Sequence, residues 1–246
     1  MASFYESDRA VAEYLLFHYG EGTYPVPPGS EGALGFPARC AALFAPRGPE
    51  ARALDLGCAV GRSTFEMARQ GGTVLGIDYS ARFVEAAEVL RTEGEISVEI
   101  AEEGDLARRV VLKRPEVDPA RVAFLRGDAL ALPDLSPFDA VLAANLIDRL
   151  ADPARFLARL PALVRPGGEL VLTSPYTWLE DYTPRDKWLG GFVRDGVPVG
   201  TRESLERLLA PAFELVRAVD LPFLIREHAR KFQWSIAEAT LWRRRE

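Results

Sequence analysis

The chain has 246 residues, a formal net charge of −6, two cysteines and two histidines. One large α/β core fits that length, so one domain over 1–246 is expected, and the acidic balance argues against a nucleic-acid partner, which would need a basic stripe where only the solvated tail Arg243-Arg244-Arg245 offers charge. Cys40 and Cys58 are too few for a disulfide framework, and His18 and His228 lack metal-ligand spacing. With no basic leader into an apolar run and no bilayer-length stretch, a soluble, cytoplasmic protein without a metal or a membrane partner is expected.

Residues 5–19 read as a helix, with Ser7 or Asp8 as its N-cap and Gly20 as its stop. Val11, Tyr14, Leu15 and His18 share one face, which either packs on a sheet or lids a small-molecule pocket. A Gly- and Pro-rich loop over 20–35 and a short helix over 36–44 follow, so 1–44 form a helical cap. Arg39 is either a surface charge or a guanidinium fork for a ligand carboxylate.

Arg52-Ala-Leu-Asp-Leu-Gly-Cys-Ala-Val-Gly-Arg-Ser63 reads as strand, tight turn and helix, the arrangement that sets a helix N-terminus at the ligand edge of a parallel sheet. Cys58 and Ala59 stand where a dinucleotide fingerprint needs its second glycine, which argues against a pyrophosphate site, and no Gly-Lys-Ser/Thr follows, so a P-loop cradle is excluded. The next apolar run, 73–78, ends at Asp78, roughly 20 residues past Gly57, a spacing that suits a carboxylate on ribose hydroxyls. An adenosine ligand without phosphates fits.

Ser80 caps a helix ending at Gly94. Segments 96–100 and 107–113, joined by a turn over 102–105, predict a β-hairpin inserted within 95–120. Strand 121–126 delivers Gly127-Asp128-Ala129, where an acid can accept from an adenine amino group. Strand 138–144, apolar but for Asp139, delivers Asn145-Leu-Ile-Asp-Arg149 to the same edge. A helix over 153–163, a turn at Arg165-Pro-Gly-Gly168 and a strand over 169–173 lead to Ser174-Pro-Tyr-Thr-Trp178. Beyond an irregular stretch come a helix over 201–209 and strands 213–219, 223–225 and 232–242, an antiparallel closure of the sheet.

Asp55-x-Gly57-x-x-x-Gly61 resembles motif I of the class I methyltransferases, in which the helix, Arg-Pro-Gly-Gly and strand are also frequent. That resemblance implies a Rossmann-like α/β fold, a mostly parallel seven-stranded sheet with an antiparallel C-terminal strand, here with the inserted β-hairpin. It also implies S-adenosyl-L-methionine as cofactor, held by Arg39, Asp55, Gly57, Cys58, Gly61, Ser63, Asp78, Tyr79, Asp128, Ala129 and Asn145.

More specifically, Tyr5-Glu-Ser-Asp-Arg9, Glu13-Tyr-Leu-Leu-Phe-His-Tyr-Gly20, Asp55 to Arg62, Ala144 to Arg149, Leu172 to Trp178 and Arg230-Lys-Phe-Gln-Trp234 resemble the 4-mercaptohistidine N1-methyltransferase family. In many organisms that is the C-terminal domain of the bifunctional ovothiol enzyme, 5-histidylcysteine sulfoxide synthase. The iron-dependent synthase region is absent here, and two histidines could not supply it. The resemblance therefore implies a methylating partner that receives a thiohistidine or selenohistidine from upstream synthase enzymes and methylates the imidazole nitrogen nearest the side-chain carbon. For that reaction the residues expected to be catalytic are Tyr14, Asn145 and Asp148, with Tyr5, Arg9, His18, Arg149, Tyr176 and Trp178 binding the substrate. Residue by residue, Trp178 is alternatively core and Asp148-Arg149 a helix cap. The rival readings are a methyltransferase of another small metabolite, a SAM-binding protein without catalysis and, opposed by the missing glycine, an NAD enzyme.

Overall fold

The structure is a computed structural model and describes residues 2–246. The helix expected over 5–19 is two: α1 (Ala2–Tyr5) and α2 (Asp8–Tyr19). Ser7 divides them, because its extended backbone lets its Oγ accept the Ala10 N–H at 3.2 Å and start a new helix. The short helix α3 (Phe36–Ala41) then leads into β1 (Arg52–Leu56), α4 (Arg62–Arg69), β2 (Thr73–Asp78) and α5 (Ala81–Glu93). Ser80 Oγ accepts the Phe83 N–H at 3.1 Å to begin α5, and left-handed Gly94 ends it.

The insertion is the expected hairpin, with longer strands: β3 (Glu95–Glu103) and β4 (Leu106–Lys113). Next come β5 (Val122–Arg126), β6 (Phe138–Ala144), α6 (Pro153–Leu163) and β7 (Val164–Ser174). The Arg165-Pro-Gly-Gly168 turn lies inside β7, as an irregularity where the register against β6 slips between Phe138 and Ala140. The stretch read as irregular holds a small pair, β8 (Phe192–Arg194) and β9 (Val197–Val199), ahead of α7 (Thr201–Leu209). The three strands read in the tail are two long ones, β10 (Phe213–His228) and β11 (Lys231–Arg244). Pro222 does not break β10, because β10 is an edge strand.

The main sheet runs β10-β11-β7-β6-β1-β2-β5. Only β11 opposes its neighbours, so the other six strands point the same way. Phe36, Phe65, Leu142 and Leu241 belong to one buried cluster, and Phe156, Leu160, Leu205 and Trp242 to the other. Burial on both faces explains the apolar run of β6 that follows Asp139. Strand order reverses between β1 and β6, the place in an open α/β sheet where a ligand crevice forms beyond the strand ends.

β11 pairs with β7 only from Glu238 to Arg243. Its first half and the matching part of β10 therefore continue past the carboxyl end of β7 as a two-stranded arm. Among the described residues, no helix is long and apolar enough to cross a membrane.

Candidate active site

A cleft of about 480 Å³, within the small-molecule range, opens at the carboxyl ends of β1, β2, β5 and β6. Gly57, Asp78, Asp128 and Asn145 all line it, one from each strand tip. Gly57 has φ +70°, and a Cβ there would lie 3.0 Å from Leu146 Cδ1, so glycine keeps this wall open. Ala59, standing in place of the fingerprint's second glycine, still holds the left-handed conformation at φ +48°.

Asp78 is fastened beneath that turn. Its Oδ2 accepts the Ala59 N–H at 2.8 Å and its Oδ1 the Ser80 N–H at 2.9 Å, leaving a second lone pair on each oxygen. Burial raises its pKa to about 6, against the backbone donors that lower it. Asp128 accepts the Leu130 N–H on Oδ1 at 2.8 Å and keeps its other oxygen for a ligand. Asn145, left-handed at φ +50°, accepts from Thr173 Oγ1 at 2.9 Å, so it can offer its amide NH₂.

The helix N-terminus beside the glycine turn is already occupied. His18 Nδ1 accepts the Arg62 N–H at 3.3 Å, which removes one of the amides a phosphate would use. Burial, aided by the Arg62 charge, lowers the His18 pKa to about 3. The imidazole is neutral, and with Nδ1 accepting, its hydrogen is on Nε2.

Aromatic rings cover the cleft. Tyr14 lies 4.7 Å from Phe83 and 6.0 Å from Tyr5, and Tyr182 lies under the Arg149 guanidinium at 4.8 Å. Burial pushes the Tyr14 phenol up to about 12, so it keeps its hydrogen at neutral pH. The N-terminal segment is tied to the start of α5: Ser80 Oγ donates to Tyr5 O at 2.9 Å, and Glu6 accepts the Ala81 and Arg82 N–H groups. Arg149 NH1 donates to Asp148 Oδ2 at 2.9 Å and to Thr177 O at 3.1 Å, so its place at the cleft is fixed.

Several expected contacts lie elsewhere. Asp55 sits below the turn, where Oδ2 accepts from Ser63 Oγ and Thr64 Oγ1 at 2.7 Å each. It braces the turn from outside the cleft lining. Cys58 is buried behind the turn, and Gly61 faces Phe124, whose ring would be 2.5 Å from an added Cβ. Arg39 donates to the carbonyls of Leu34 and Pro222, and Arg9 pairs with Glu13 at 2.7 Å and Glu227 at 3.5 Å. Neither guanidinium lines the cleft. Asp148 is fully buried and meets the cleft only through Arg149. Tyr176 donates to Glu238 in a separate depression. Trp178 is core: Nε1 donates to Thr201 Oγ1 at 2.9 Å and the ring stacks on Trp188. Ser63, Ala129, Tyr5, Tyr14, His18 and Arg149 do line the cleft, as does half-exposed Tyr79 at its rim.

Sequence reasoning missed Tyr182, Phe17, Phe36, Phe223 and Ile225, which also line it. Phe17 follows Tyr14 by one helical turn, and Phe223 alternates with Ile225; both signals are also those of ordinary core. Trp178→Ala is expected to lower stability by about 3–5 kcal/mol in chemical denaturation. S-adenosylhomocysteine affinity should stay unchanged; a loss of affinity with normal stability would return Trp178 to the site.

A doubly wound sheet with one reversed strand, a glycine turn and acids at successive tips defines a class I S-adenosylmethionine-dependent methyltransferase. Residues 35–214 match the family model described as "Methyltransferase domain", and the chain belongs to that family. Its cofactor is S-adenosyl-L-methionine, and a phosphate-free cleft with a buried carboxylate holding spare lone pairs fits it.

The chain is similar to the ubiquinone biosynthesis O-methyltransferase of Bradyrhizobium sp. (strain ORS 278), 28% identical over 123 residues, covering 50% of this chain and 39% of that protein. It is similar to the protein of the same name from Leptothrix cholodnii (strain ATCC 51168 / LMG 8142 / SP-6) at 25% over 196 residues, covering 78% and 71%. The match thus spans about two fifths of the first relative's length. Similar solved structures include the [4+2]-cyclase SpnF, with TM-score 0.57, 17% identity and 97% of each chain covered. The N-methyltransferase NodS from Bradyrhizobium japonicum WM9 has TM-score 0.53 and 18% identity, covering 85% of this chain and 94% of its own. At these identities the structures share the fold alone; SpnF carries another reaction on it.

Proposed function

We propose that the chain methylates the side-chain-proximal imidazole nitrogen of a thiol- or selenol-substituted histidine supplied by upstream synthase enzymes. The observation that carries this reading is the clamped Arg149, lining the same cleft as Tyr5, Tyr14, Phe83, Tyr182 and Asn145. A fixed guanidinium suits an amino-acid carboxylate, and the aromatic side chains suit a small planar ring. On the cofactor side, Asp78 takes the ribose hydroxyls and Asp128 the adenine amino group, with Gly57, Ser63, Tyr79 and Ala129 shaping the remainder.

Bound S-adenosylmethionine supplies an electrophilic methyl group; the chain's own contribution is orientation. The acceptor nitrogen must be unprotonated and in line with that methyl, and holding it there supplies much of the acceleration. The ring's sulfur or selenium is the softer nucleophile, so the site must disfavour it. Tyr14 O–H and His18 Nε2–H both keep their hydrogens at neutral pH. Donated to the thiolate or selenolate, they withdraw its electron density and leave the nitrogen as the free lone pair.

The test is incubation with S-adenosylmethionine and a panel of acceptors: 4-mercaptohistidine, its selenium analogue, histidine and a phenol, with products placed by tandem mass spectrometry. One methyl on the proximal ring nitrogen of the sulfur or selenium compounds is expected. Methyl on sulfur, or on the phenol alone, would overturn the reading, the latter in favour of the reaction named for the curated relatives. Cofactor binding with no turnover on any acceptor would favour a non-catalytic SAM-binding protein.

A further inference from the structure

The inserted hairpin has no part in the sheet, yet its turn end meets the C-terminal arm. Arg226 of the arm is only 2% exposed. It donates through NH1 to Ala101 O at 2.7 Å and through NH2 to Glu102 Oε1 at 2.9 Å, and its guanidinium lies 5.5 Å from the Tyr24 ring. Glu102 O accepts the Ala229 N–H at 3.2 Å, so backbone joins backbone at the arm's tip. The same carboxylate oxygen accepts from Arg108 Nε at 3.1 Å, and Arg108 NH2 reaches Thr23 O at 3.2 Å. Hairpin, N-terminal loop and arm therefore meet on Glu102.

The arm matters because of what it carries. Phe223 and Ile225 alternate along β10 to face the cleft, and Phe223 packs against Phe36 at 5.0 Å and Phe17 at 5.9 Å. β10 lies at the end of the sheet remote from β2 and β5, whose tips carry Asp78 and Asp128. These apolar groups thus wall the acceptor's half of the cleft. Beyond the sheet each strand of the arm pairs only with the other, and α2 packs against β10 through Phe17 and Phe223; nearer the tip, side-chain ties set its place. Arg9 to Glu227 and Arg39 to the Pro222 carbonyl are two such ties; both are single contacts, whereas Arg226 to Glu102 is buried and several-fold.

We propose that the β3–β4 hairpin is the clasp of the arm: Glu102, acting through Arg226, positions Phe223 and Ile225 in the acceptor wall and so governs acceptor recognition without touching acceptor or cofactor. The acceptor half of this statement rests on the methyl-transfer reading; the clasp itself does not. Glu102 and Arg226 are positioning residues.

Hydrogen exchange, S-adenosylhomocysteine binding and acceptor kinetics on Glu102→Ala and Glu102→Asp test it. In Glu102→Ala, amides of 221–232 should exchange at least about tenfold faster, with β1, β2 and β6 unchanged. S-adenosylhomocysteine affinity should hold, while KM for the acceptor rises more than kcat falls. Glu102→Asp, which keeps the charge, should recover part of the protection. Unchanged exchange in the arm overturns the clasp, as does faster exchange spread across the whole sheet. Should no acceptor in the panel be methylated, the functional reading falls, while arm exchange and cofactor affinity still decide the clasp.

Discussion

Asp78→Ala is expected to raise the dissociation constant for S-adenosylhomocysteine by roughly 100-fold, as judged by calorimetry, since hydrogen bonds to a charged group contribute about 1.5–3 kcal/mol each. Two effects add. The ligand loses a carboxylate acceptor, and the Ala59 and Ser80 N–H groups that Asp78 satisfies lose theirs, loosening the turn that faces the cofactor. The same side chain predicts a pH dependence. Because burial raises its pKa to about 6, the carboxylate is fully present above that pH and is lost as pH falls through it. A protonated carboxyl has one acceptor fewer and a hydrogen to place. Wild-type affinity should therefore weaken below pH 6, approaching roughly tenfold per unit, and Asp78→Asn should be weak and flat. A wild-type affinity that does not vary between pH 5 and pH 7.5, or an Asp78→Ala variant that binds normally, would remove Asp78 from the ribose site.

Arg149→Lys is expected to lower kcat/KM for the amino-acid acceptor by roughly 100-fold, the equivalent of about 2.7 kcal/mol, while leaving S-adenosylhomocysteine affinity unchanged. Whereas Arg149 spends NH1 on Asp148 and Thr177 and still has NH2 and Nε for the cleft, lysine keeps the charge but has a single nitrogen. It also preserves a partner for Asp148, whose buried carboxylate already has one oxygen, Oδ1, without a hydrogen bond. Arg149→Met would leave that charge unpaired, costing about 3–5 kcal/mol of stability and confusing folding with recognition. The decisive control is the acceptor lacking its carboxylate. It should be a poor substrate of the wild type and lose little further in Arg149→Lys. Equal losses on both acceptors would show that Arg149 supports the wall and does not read the carboxylate.

The order of the core strands and helices, and the acids at the strand tips, can be read from the residues alone. Those features are local: apolar periodicity marks β1, β2 and β6, Ser80 and Gly94 bound α5, and a glycine or an acid directly after a strand must lie at its carboxyl end. Gly57, Asp78, Asp128 and Asn145 could be placed at one edge because parallel strands all end there. Which polar side chains face the cleft is settled by packing across the fold. Arg39 has the charge to hold a carboxylate, yet it bonds Pro222, 183 residues away, and Arg9 is drawn to Glu227. Trp178 turns inward because Thr201 accepts its indole N–H. The arm that closes the acceptor's half depends on Arg226 finding Glu102, 124 residues earlier. A buried donor goes to whichever acceptor the packed chain presents, and that choice leaves no trace in the residues flanking it.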